Sequence, residues 1–261
     1  MNRFERYNVT MEMKDFDENN EKEIYIDLPA AVDYLDMEKQ YKQLMYLHEA
    51  AIQQIGAKLN ILKGEFEFSN DRNPIASISS RIKSKESILY KMQRKGLPMT
   101  VSALLLNIHD IAGVRVTCPF IEDVYYVARM LGNQRDIQIL DVKDYIHDPK
   151  PNGYRSLHLI VTTEVHFAEF SRKIPVEIQI RTIAMDFWAS TEHQLRYKKD
   201  KDFSEETQAK LKECADLMAR ADKIMQEVAG EFDVEKWKNK LLYFINKGIS
   251  NEIPLLISFL I

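Results

Sequence analysis

Two acidic residues occupy positions from which a carboxylate could do chemistry. Asp110 stands where the segment NIHD meets an apolar, β-branched run at residues 111–117, and Glu177 stands in the alternating segment EIQIR. Magnesium usually takes one or two protein carboxylates together with substrate phosphates, and a carboxylate can also accept the proton of an attacking hydroxyl. Each residue also has an ordinary explanation, because Asp110 could cap a strand end and Glu177 could face solvent from a half-buried sheet.

The segment around Glu177 has the pattern of a strand with one polar face. Alternate side chains of a strand point to opposite faces, so Glu177, Gln179 and Arg181 share one face and the apolar residues 176, 178 and 180 share the other. If the polar face lines a cleft, Arg181 could balance charge or bind phosphate beside Glu177. The same alternation is also typical of a strand whose polar face is simply solvated.

Basic residues are concentrated in two places that could bind phosphate. Segment 77–95 carries a dense cluster, which consists of Arg81, Lys83, Lys85, Lys91, Arg94 and Lys95. Arg115 interrupts the apolar run after Asp110, and a charge in a buried strand is costly unless a carboxylate or an anionic ligand pairs with it. Because the whole chain has a formal net charge of -4, these cations indicate a local anion site rather than a surface that coats nucleic acid.

A Pro-Asn-Gly turn is surrounded by side chains that could hold a nucleotide. The segment reads KPNGYRSLH over residues 150–158. Lys150 could neutralise phosphate, and Tyr154 could stack on a base, an interaction worth about 1–3 kcal/mol per base. A plain hairpin turn would explain the proline, asparagine and glycine but not the Lys, Tyr, Arg and His that accompany them.

These residues must be positioned by a mixed assembly of helices and strands. Apolar periodicity predicts a long helix over 28–63 that ends at Gly64, and further helices over 121–131, 184–196 and 204–228, the last capped by Ser204. Strands are predicted at 111–117, 136–142, 155–163 and 173–181. The order predicts an α+β, mixed α/β fold with a central mixed sheet flanked by helices. We expect a flexible lead-in at 1–26, a catalytic domain at 27–235 and a tail of unknown role at 236–261.

Composition favours a cytoplasmic protein without a membrane segment. The two cysteines, Cys118 and Cys214, lie far apart in the 261-residue chain and have no metal-binding spacing, and the N-terminus lacks the apolar run of a secretory signal. The apolar segment 253–261 is shorter than the roughly 20 residues that a membrane-spanning helix needs. We interpret it as a packing or assembly segment.

Five segments, taken together and in this order, resemble the synthetase domain of the RelA/SpoT homologues. They are RIKSKES at 81–87, HDIAGVRV at 109–116, KPNGYRSLH at 150–158, EIQIRT at 177–182 and WASTEH at 188–193. The chain length makes the protein similar to the small alarmone synthetases of the RelQ/RelP type. The resemblance implies a nucleotidyltransferase-like fold, a Mg²⁺ cofactor, a homotetramer, and transfer of the β,γ-diphosphate of ATP to the 3′-hydroxyl of GTP, GDP or GMP.

The resemblance also implies roles for individual residues. Asp110 resembles the Mg²⁺-binding aspartate, and Glu177 resembles the glutamate that activates the acceptor hydroxyl and also approaches the metal. The residues implied for ATP are Arg81, Lys83, Arg94 and Arg115. The residues implied for the guanine nucleotide are Lys150, Tyr154, His158 and Gln179. The remaining cations of these segments are interpreted as solvated charges, namely Lys91, Lys95 and Arg155.

Two other functions fit the same segments. A toxic small synthetase would transfer pyrophosphate to the 3′ end of tRNA, and a catalytically silent regulator would bind a nucleotide or RNA on the same fold. The mild net acidity and the intact KPNGY segment favour a free nucleotide as acceptor, and RNA binding is possible but not indicated. Retention of both Asp110 and Glu177 favours an enzyme. The sequence leaves the choice among GMP, GDP and GTP open.

Overall fold

A computed structural model of the chain describes residues 34–69, 72–197 and 203–246, with side chains from residue 39 to residue 231. The predicted lead-in at 1–26 and the apolar segment 253–261 lie outside the described residues. No helix in the described part is both long enough and apolar enough to cross a membrane.

Five strands form one mixed sheet, which confirms the predicted central mixed sheet and adds one strand to the four predicted. They are β1 (Ser77–Ile82), β2 (Ala112–Cys118), β3 (Ile137–Asp144), β4 (Leu157–His166) and β5 (Ser171–Thr182). Their order across the sheet is β1-β2-β5-β4-β3. Strands β2 and β5 are parallel, and the other neighbours are antiparallel. The two strands that carry the candidate carboxylate segments are therefore direct neighbours at the centre of the sheet.

Six helices accompany this sheet within the described ranges. They are α1 (Tyr34–Ser69), α2 (Lys85–Arg94), α3 (Val101–Asn107), α4 (Ile121–Gly132), α5 (Ile183–Tyr197) and α6 (Glu205–Asn246). Ser204 caps α6 as predicted, because its hydroxyl accepts a hydrogen bond from the Thr207 amide at 3.3 Å. Helix α6 also continues well beyond the predicted end at residue 228.

One further predicted boundary was wrong, and two elements were missed. Helix α1 passes through Gly64 to Ser69, since a single helix glycine costs only about 1 kcal/mol, less than the rest of the helix can offset. Strand β1 was not predicted, because its sequence SISSRI is mostly exposed at the sheet edge and lacks apolar alternation. The seven-residue α3 was also missed, because it is too short to show helical periodicity.

The apolar face of the sheet forms the main core. The inward side chains of β5, Val176, Ile178 and Ile180, are buried as predicted, and helices α1 and α4 cover them. Ile55 and Leu59 of α1 are fully buried in the same cluster. Burying this face fixes the register of the strands, because a one-residue slip would turn every apolar side chain outward. The opposite face is left to the polar side chains.

Candidate active site

The strand register collects the polar side chains of five strands on one face of the sheet. Arg81 pairs with Gly113, which pairs in turn with Glu177. The adjacent row across the sheet consists of Ser79, Arg115, Gln179, His158 and Lys143. Directly paired residues of neighbouring strands point to the same face. The segments that looked separate in the sequence therefore share one surface.

Asp110 lies just before β2 and is held by two lysines. Its Oδ2 accepts hydrogen bonds from Lys83 Nζ at 2.5 Å and from Lys91 Nζ at 2.7 Å. Burial of Asp110 opposes ionisation, but the hydrogen bonds and charges of the two lysines outweigh it and hold its pKa below the ordinary value. The interpretation of Lys91 as a solvated charge was wrong, because helix α2 presents it directly to Asp110.

Glu177 is fixed through both of its carboxylate oxygens. His158 Nδ1 lies 3.2 Å from Oε1, and Gln179 Nε2 donates to Oε2 at 2.8 Å. Burial would raise the pKa of Glu177, but these two partners lower it below its ordinary value, while the nearby charge of Asp110 acts in the opposite direction. The register pairs Glu177 with Gly113, three residues after Asp110, so the two acidic residues stand at neighbouring positions of β5 and of the segment that leads into β2.

The arrangement fits a divalent cation at Asp110. The Oδ1 atom of Asp110 is buried and has no hydrogen-bond partner among the described residues. Such an atom is costly unless a ligand completes it. Within the described ranges, no three His, Cys, Asp or Glu side chains are grouped so as to hold a metal by themselves. Magnesium would therefore draw on Asp110, Glu177 and substrate phosphates, the few-carboxylate pattern it commonly uses.

Three guanidinium groups crowd the face beside this pair. Burial lowers the pKa of Arg115, and the charges of Arg181 and Arg81 lower it further against the opposing charge of Asp186. Asp186 Oδ1 lies 3.5 Å from Arg115 and 3.2 Å from Arg181. The Nε of Arg115 is buried without a partner in the described part of the chain. A cluster with more positive than negative charge at short range is suited to phosphate oxygens.

The structure brings three of the four predicted ATP residues together. Arg81, Lys83 and Arg115 converge on the polar face, whereas Arg94 is exposed in the last turn of α2, three residues beyond Lys91. Asp186 was missed by sequence reasoning. Its only local signal is an acidic residue in the first turn of α5.

The predicted guanine residues form an aromatic and cationic group at the start of β4. Tyr154 is half-buried, and its hydroxyl lies 2.7 Å from His158 Nε2. Lys150 Nζ sits 4.5 Å from the centroid of the Tyr145 ring and 4.7 Å from that of Tyr154. Burial lowers the pKa of Lys150, opposed by the charge of Glu177. Tyr145 completes this group, and no motif in the sequence identified it.

Helix α6 supports the turn that carries Tyr154. Gly153 has a φ of +87°, and a Cβ at that position would lie 2.5 Å from the Cβ of Ala215. Arg155 donates to the backbone oxygens of Gly153 at 3.2 Å and Ala215 at 3.3 Å. Its interpretation as a solvated charge was therefore wrong. Lys95, by contrast, is exposed, although its Nζ reaches the Asn107 carbonyl at 3.1 Å.

Comparisons with known proteins agree on one family. A family model described as a region found in RelA / SpoT proteins matches residues 80–202. The GTP pyrophosphokinase YwaC of Bacillus subtilis is 42% identical over 193 residues, which are 74% of this chain and 92% of that protein. The small alarmone synthetase 1 of Bacillus subtilis, solved with its product pppGpp, superposes with a TM-score of 0.70 at 35% identity, covering 74% of this chain and 98% of that one. The same enzyme solved with AMPCPP gives a TM-score of 0.65 at 31% identity, covering 75% and 98%.

Proposed function

This chain belongs to the family of RelA/SpoT proteins, and on that premise we propose that it is a GTP pyrophosphokinase that synthesises alarmones. The reaction moves the β,γ-diphosphate of ATP to the 3′-hydroxyl of a guanine nucleotide and releases AMP. The observation that supports the proposal is the strand register, which sets Glu177 in line with Gly113 and Arg81, next to the row that contains Arg115, together with the contact of Asp110 with Lys83. The fold is shared with synthetases solved with pppGpp and AMPCPP.

In this mechanism Glu177 accepts the proton of the acceptor 3′-hydroxyl. The hydroxyl oxygen then forms a bond to the β-phosphorus of ATP, and the bond from that phosphorus to the α,β-bridging oxygen breaks. Its lowered pKa keeps Glu177 ionised at neutral pH, and each of its hydrogen-bonded oxygens retains a second lone pair for a substrate proton. Transfers of this type depend mainly on positioning and on neutralising charge.

The cations of the site have divided tasks in the proposed reaction. Arg81, Lys83 and Arg115 bind the ATP phosphates, with Arg94 at the rim. The Arg115 Nε, which has no partner among the described residues, is one donor that a phosphate would satisfy. When bound, Mg²⁺ would be held by Asp110 and Glu177 and would neutralise the charge that develops on the phosphates.

In the proposed reaction, the acceptor nucleotide is held on the side of Glu177 away from the cations that bind ATP. Tyr154 stacks on the guanine, Lys150 neutralises acceptor phosphate, and His158 and Gln179 line the contact between the acceptor and Glu177. In this arrangement the acceptor ribose lies next to the Glu177 carboxylate, and the donor phosphates lie next to the arginines. Proximity of this kind supplies much of the rate in a two-substrate reaction.

A homo-oligomer in the cytoplasm, with Mg²⁺ as cofactor, completes the proposal. Helix α6 exposes an apolar stripe, made of Leu217, Ile224, Met225 and Val228. An apolar helix face of this kind is typical of a contact between subunits, and a symmetric tetramer would cover it. Sedimentation that shows only monomers at micromolar concentration would contradict this part of the proposal.

A panel of acceptors tests the proposed activity. The purified protein is incubated with Mg²⁺ and ATP labelled in the γ-phosphate, together with GMP, GDP, GTP or deacylated tRNA in separate reactions. We expect label on at least one guanine nucleotide and release of AMP. The matched control is Glu177→Gln, which keeps the shape of the side chain and should reduce turnover by about 10²–10⁴.

The other outcomes identify the alternatives. Label found only on tRNA would support the toxic type of synthetase and refute the proposal. Label on none of the acceptors, with nucleotide binding intact, would support a silent regulator. A Glu177→Gln variant with unchanged turnover would remove Glu177 from the mechanism even if the activity is present.

A further inference from the structure

Arg181 is the most buried cation of the site and is bound within the protein rather than open to a ligand. Only 3% of the residue is exposed. Its Nη2 donates to the Tyr154 hydroxyl at 2.6 Å and to Gln179 Oε1 at 2.7 Å. Its Nη1 donates to Asp186 Oδ1 at 3.2 Å, and its Nε donates to Ser156 Oγ at 3.3 Å. Four of the five N–H donors of a guanidinium are therefore engaged by the protein, which leaves no fork for a phosphate.

Two chains of hydrogen bonds run from Arg181 to Glu177. In the first, Gln179 accepts from Arg181 through Oε1 and donates through Nε2 to Oε2 of Glu177. In the second, the Tyr154 hydroxyl accepts from Arg181 and contacts His158 Nε2, and His158 Nδ1 contacts Oε1 of Glu177. The two chains converge on the two oxygens of one carboxylate.

The directions of the bonds made by Gln179 follow from the two ends of its chain. Arg181 can only donate, and an ionised carboxylate can only accept. The Gln179 oxygen must therefore face Arg181, and its amide nitrogen must face Glu177. In the second chain, the Tyr154 oxygen accepts from Arg181 and lies 2.7 Å from His158 Nε2, and an N–H at His158 Nδ1 donates to Glu177, since the carboxylate can only accept.

We propose that Arg181 is a positioning residue that fixes the orientation of the Glu177 carboxylate through Gln179 on one oxygen and through Tyr154 and His158 on the other. The inference rests on the proposed role of Glu177 as the general base. It gives Arg181 a task other than phosphate binding, and it gives the Tyr154 hydroxyl a task separate from the stacking of the Tyr154 ring.

The ring and the hydroxyl of Tyr154 should therefore affect different kinetic quantities, the ring substrate binding and the hydroxyl turnover. A carboxylate whose two oxygens are both held cannot rotate away from the acceptor hydroxyl, and a small misplacement of a reacting group can cost about 10²-fold in rate. Loss of one chain should therefore lower kcat, whereas the affinity for either nucleotide should stay nearly the same as long as the rings and charges that bind it remain.

The experiment cuts each chain without removing Arg181. Tyr154→Phe keeps the stacking ring and removes the hydroxyl, and Gln179→Met keeps the length of the side chain and removes the amide. We expect each variant to lower kcat by about 10-fold and the double variant by about 10²-fold, the usual effect of removing partners that orient a functional group. Tyr154→Phe should leave the KM values for ATP and GTP within about twofold of wild type.

The same Tyr154→Phe change is then made in the Glu177→Gln protein. If the Tyr154 hydroxyl acts through Glu177, its removal should have no further effect on kcat in the Glu177→Gln protein, because no carboxylate base remains to be oriented. The matched control is Tyr126→Phe, which removes a hydroxyl from an exposed tyrosine of α4, the helix that covers the apolar face of the sheet, and which should leave kcat unchanged. Thermal melting of all variants reports any loss of fold.

The outcomes separate this inference from the proposed function. Full kcat in Tyr154→Phe, or an equal loss in the wild-type and Glu177→Gln backgrounds, would overturn the positioning role while the activity stands. An increase in the KM for GTP with an unchanged kcat would assign the hydroxyl to acceptor binding instead. If Glu177→Gln itself keeps full turnover, the proposed base has failed, and the positioning role fails with it.

Discussion

Asp110 and Glu177 stay ionised by different means. Burial raises the pKa of both, but two lysine ammonium groups lower that of Asp110, whereas the neutral donor Gln179 and the imidazole of His158 lower that of Glu177. Both lysines bind Oδ2 of Asp110, which leaves Oδ1 without a partner among the described residues and open to a metal. The contacts at both oxygens of Glu177 fix its orientation instead. The difference in partners agrees with the different roles proposed for the two residues.

At the scale of single residues, loss of the Tyr154 ring should affect one substrate and not the other. Tyr154→Ala removes the stacking surface, and a base stack is worth about 1–3 kcal/mol, so the KM for GTP should rise by about 5- to 150-fold. The KM for ATP should change little, because the donor residues Arg81 and Arg115 lie on other strands. Steady-state kinetics with each substrate varied in turn checks this expectation. An equal rise in both KM values would contradict a stacking role on the acceptor.

At the scale of elements, the acceptor turn depends on a helix more than 50 residues further along the chain. Gly153 adopts a positive φ that L side chains rarely accept, and α6 lies so close that a Cβ would overlap Ala215. Arg155 adds hydrogen bonds from the same turn to the Ala215 carbonyl. The position of Tyr154 is thus set jointly by the turn and by the first part of α6.

Gly153→Ala tests this contact. The added methyl group must move either the turn or α6, and backbone strain together with overpacking typically costs about 1–3 kcal/mol. We expect the Tm to fall by about 2–4 °C for each kcal/mol lost. Relative to wild type, the KM for GTP should rise more than the KM for ATP. Differential scanning calorimetry and kinetics provide the two measurements.

The matched control is Gly56→Ala in the interior of α1. Apart from its chain neighbours and the backbone of its own helix, no heavy atom of the described residues lies within 4 Å of the added Cβ. Alanine also favours a helix over glycine by about 0.5–1 kcal/mol. This variant should keep or raise the Tm. A Gly153→Ala protein as stable and as active as the Gly56→Ala protein would show that the close approach of α6 does not constrain the turn.

At the scale of the whole molecule, buried polar pairs tie together elements that are remote in the chain. Asp222 of α6 accepts a hydrogen bond from Thr182 Oγ1 at the end of β5 at 2.6 Å, and both residues are buried. Burial raises the pKa of Asp222 above 3.8, against the opposing effects of the Thr182 hydrogen bond and the charge of Arg155. The ionised form of Asp222 therefore costs stability in the folded protein.

The sign of this shift predicts how stability changes with pH. A group whose folded pKa is raised adds stability below its unfolded pKa and loses it as the pH rises through its folded pKa. Asp222→Asn, whose amide oxygen can still accept from Thr182, should therefore raise the Tm at about pH 7, and the gain should shrink toward zero at about pH 4. Thermal melting of both proteins across this range measures the difference.

Asp216→Asn on the same helix is the control. Asp216 is exposed, and hydrogen bonds and charges from Lys212 and Arg155 lower its pKa, so its removal should give no gain in Tm. A Tm gain for Asp222→Asn that is constant with pH would show that the effect does not come from ionisation of Asp222.

The sequence alone determined the local chemistry and most of the elements. Strict alternation over 176–181 separated the apolar side chains of β5 from Glu177, Gln179 and Arg181, because the side-chain period of a strand is a local property. The ordered motifs identified the family that the comparisons support. The polar edge strand β1 and the short α3 escaped prediction, because neither carries enough apolar periodicity to be recognised from its own residues.

Only the tertiary structure decided which of these side chains meet. Lys91 reaches Asp110 because α2 packs beside the start of β2, and Arg181 reaches Glu177 along two chains because β4 and β5 pair in one particular register. Arg155 and Gly153 gain their roles from α6, and Asp186 gains its role because α5 begins directly after β5. A hydrogen bond forms over about 3 Å, so its partner depends on the packing of segments that are distant in the sequence, and no local pattern records that distance.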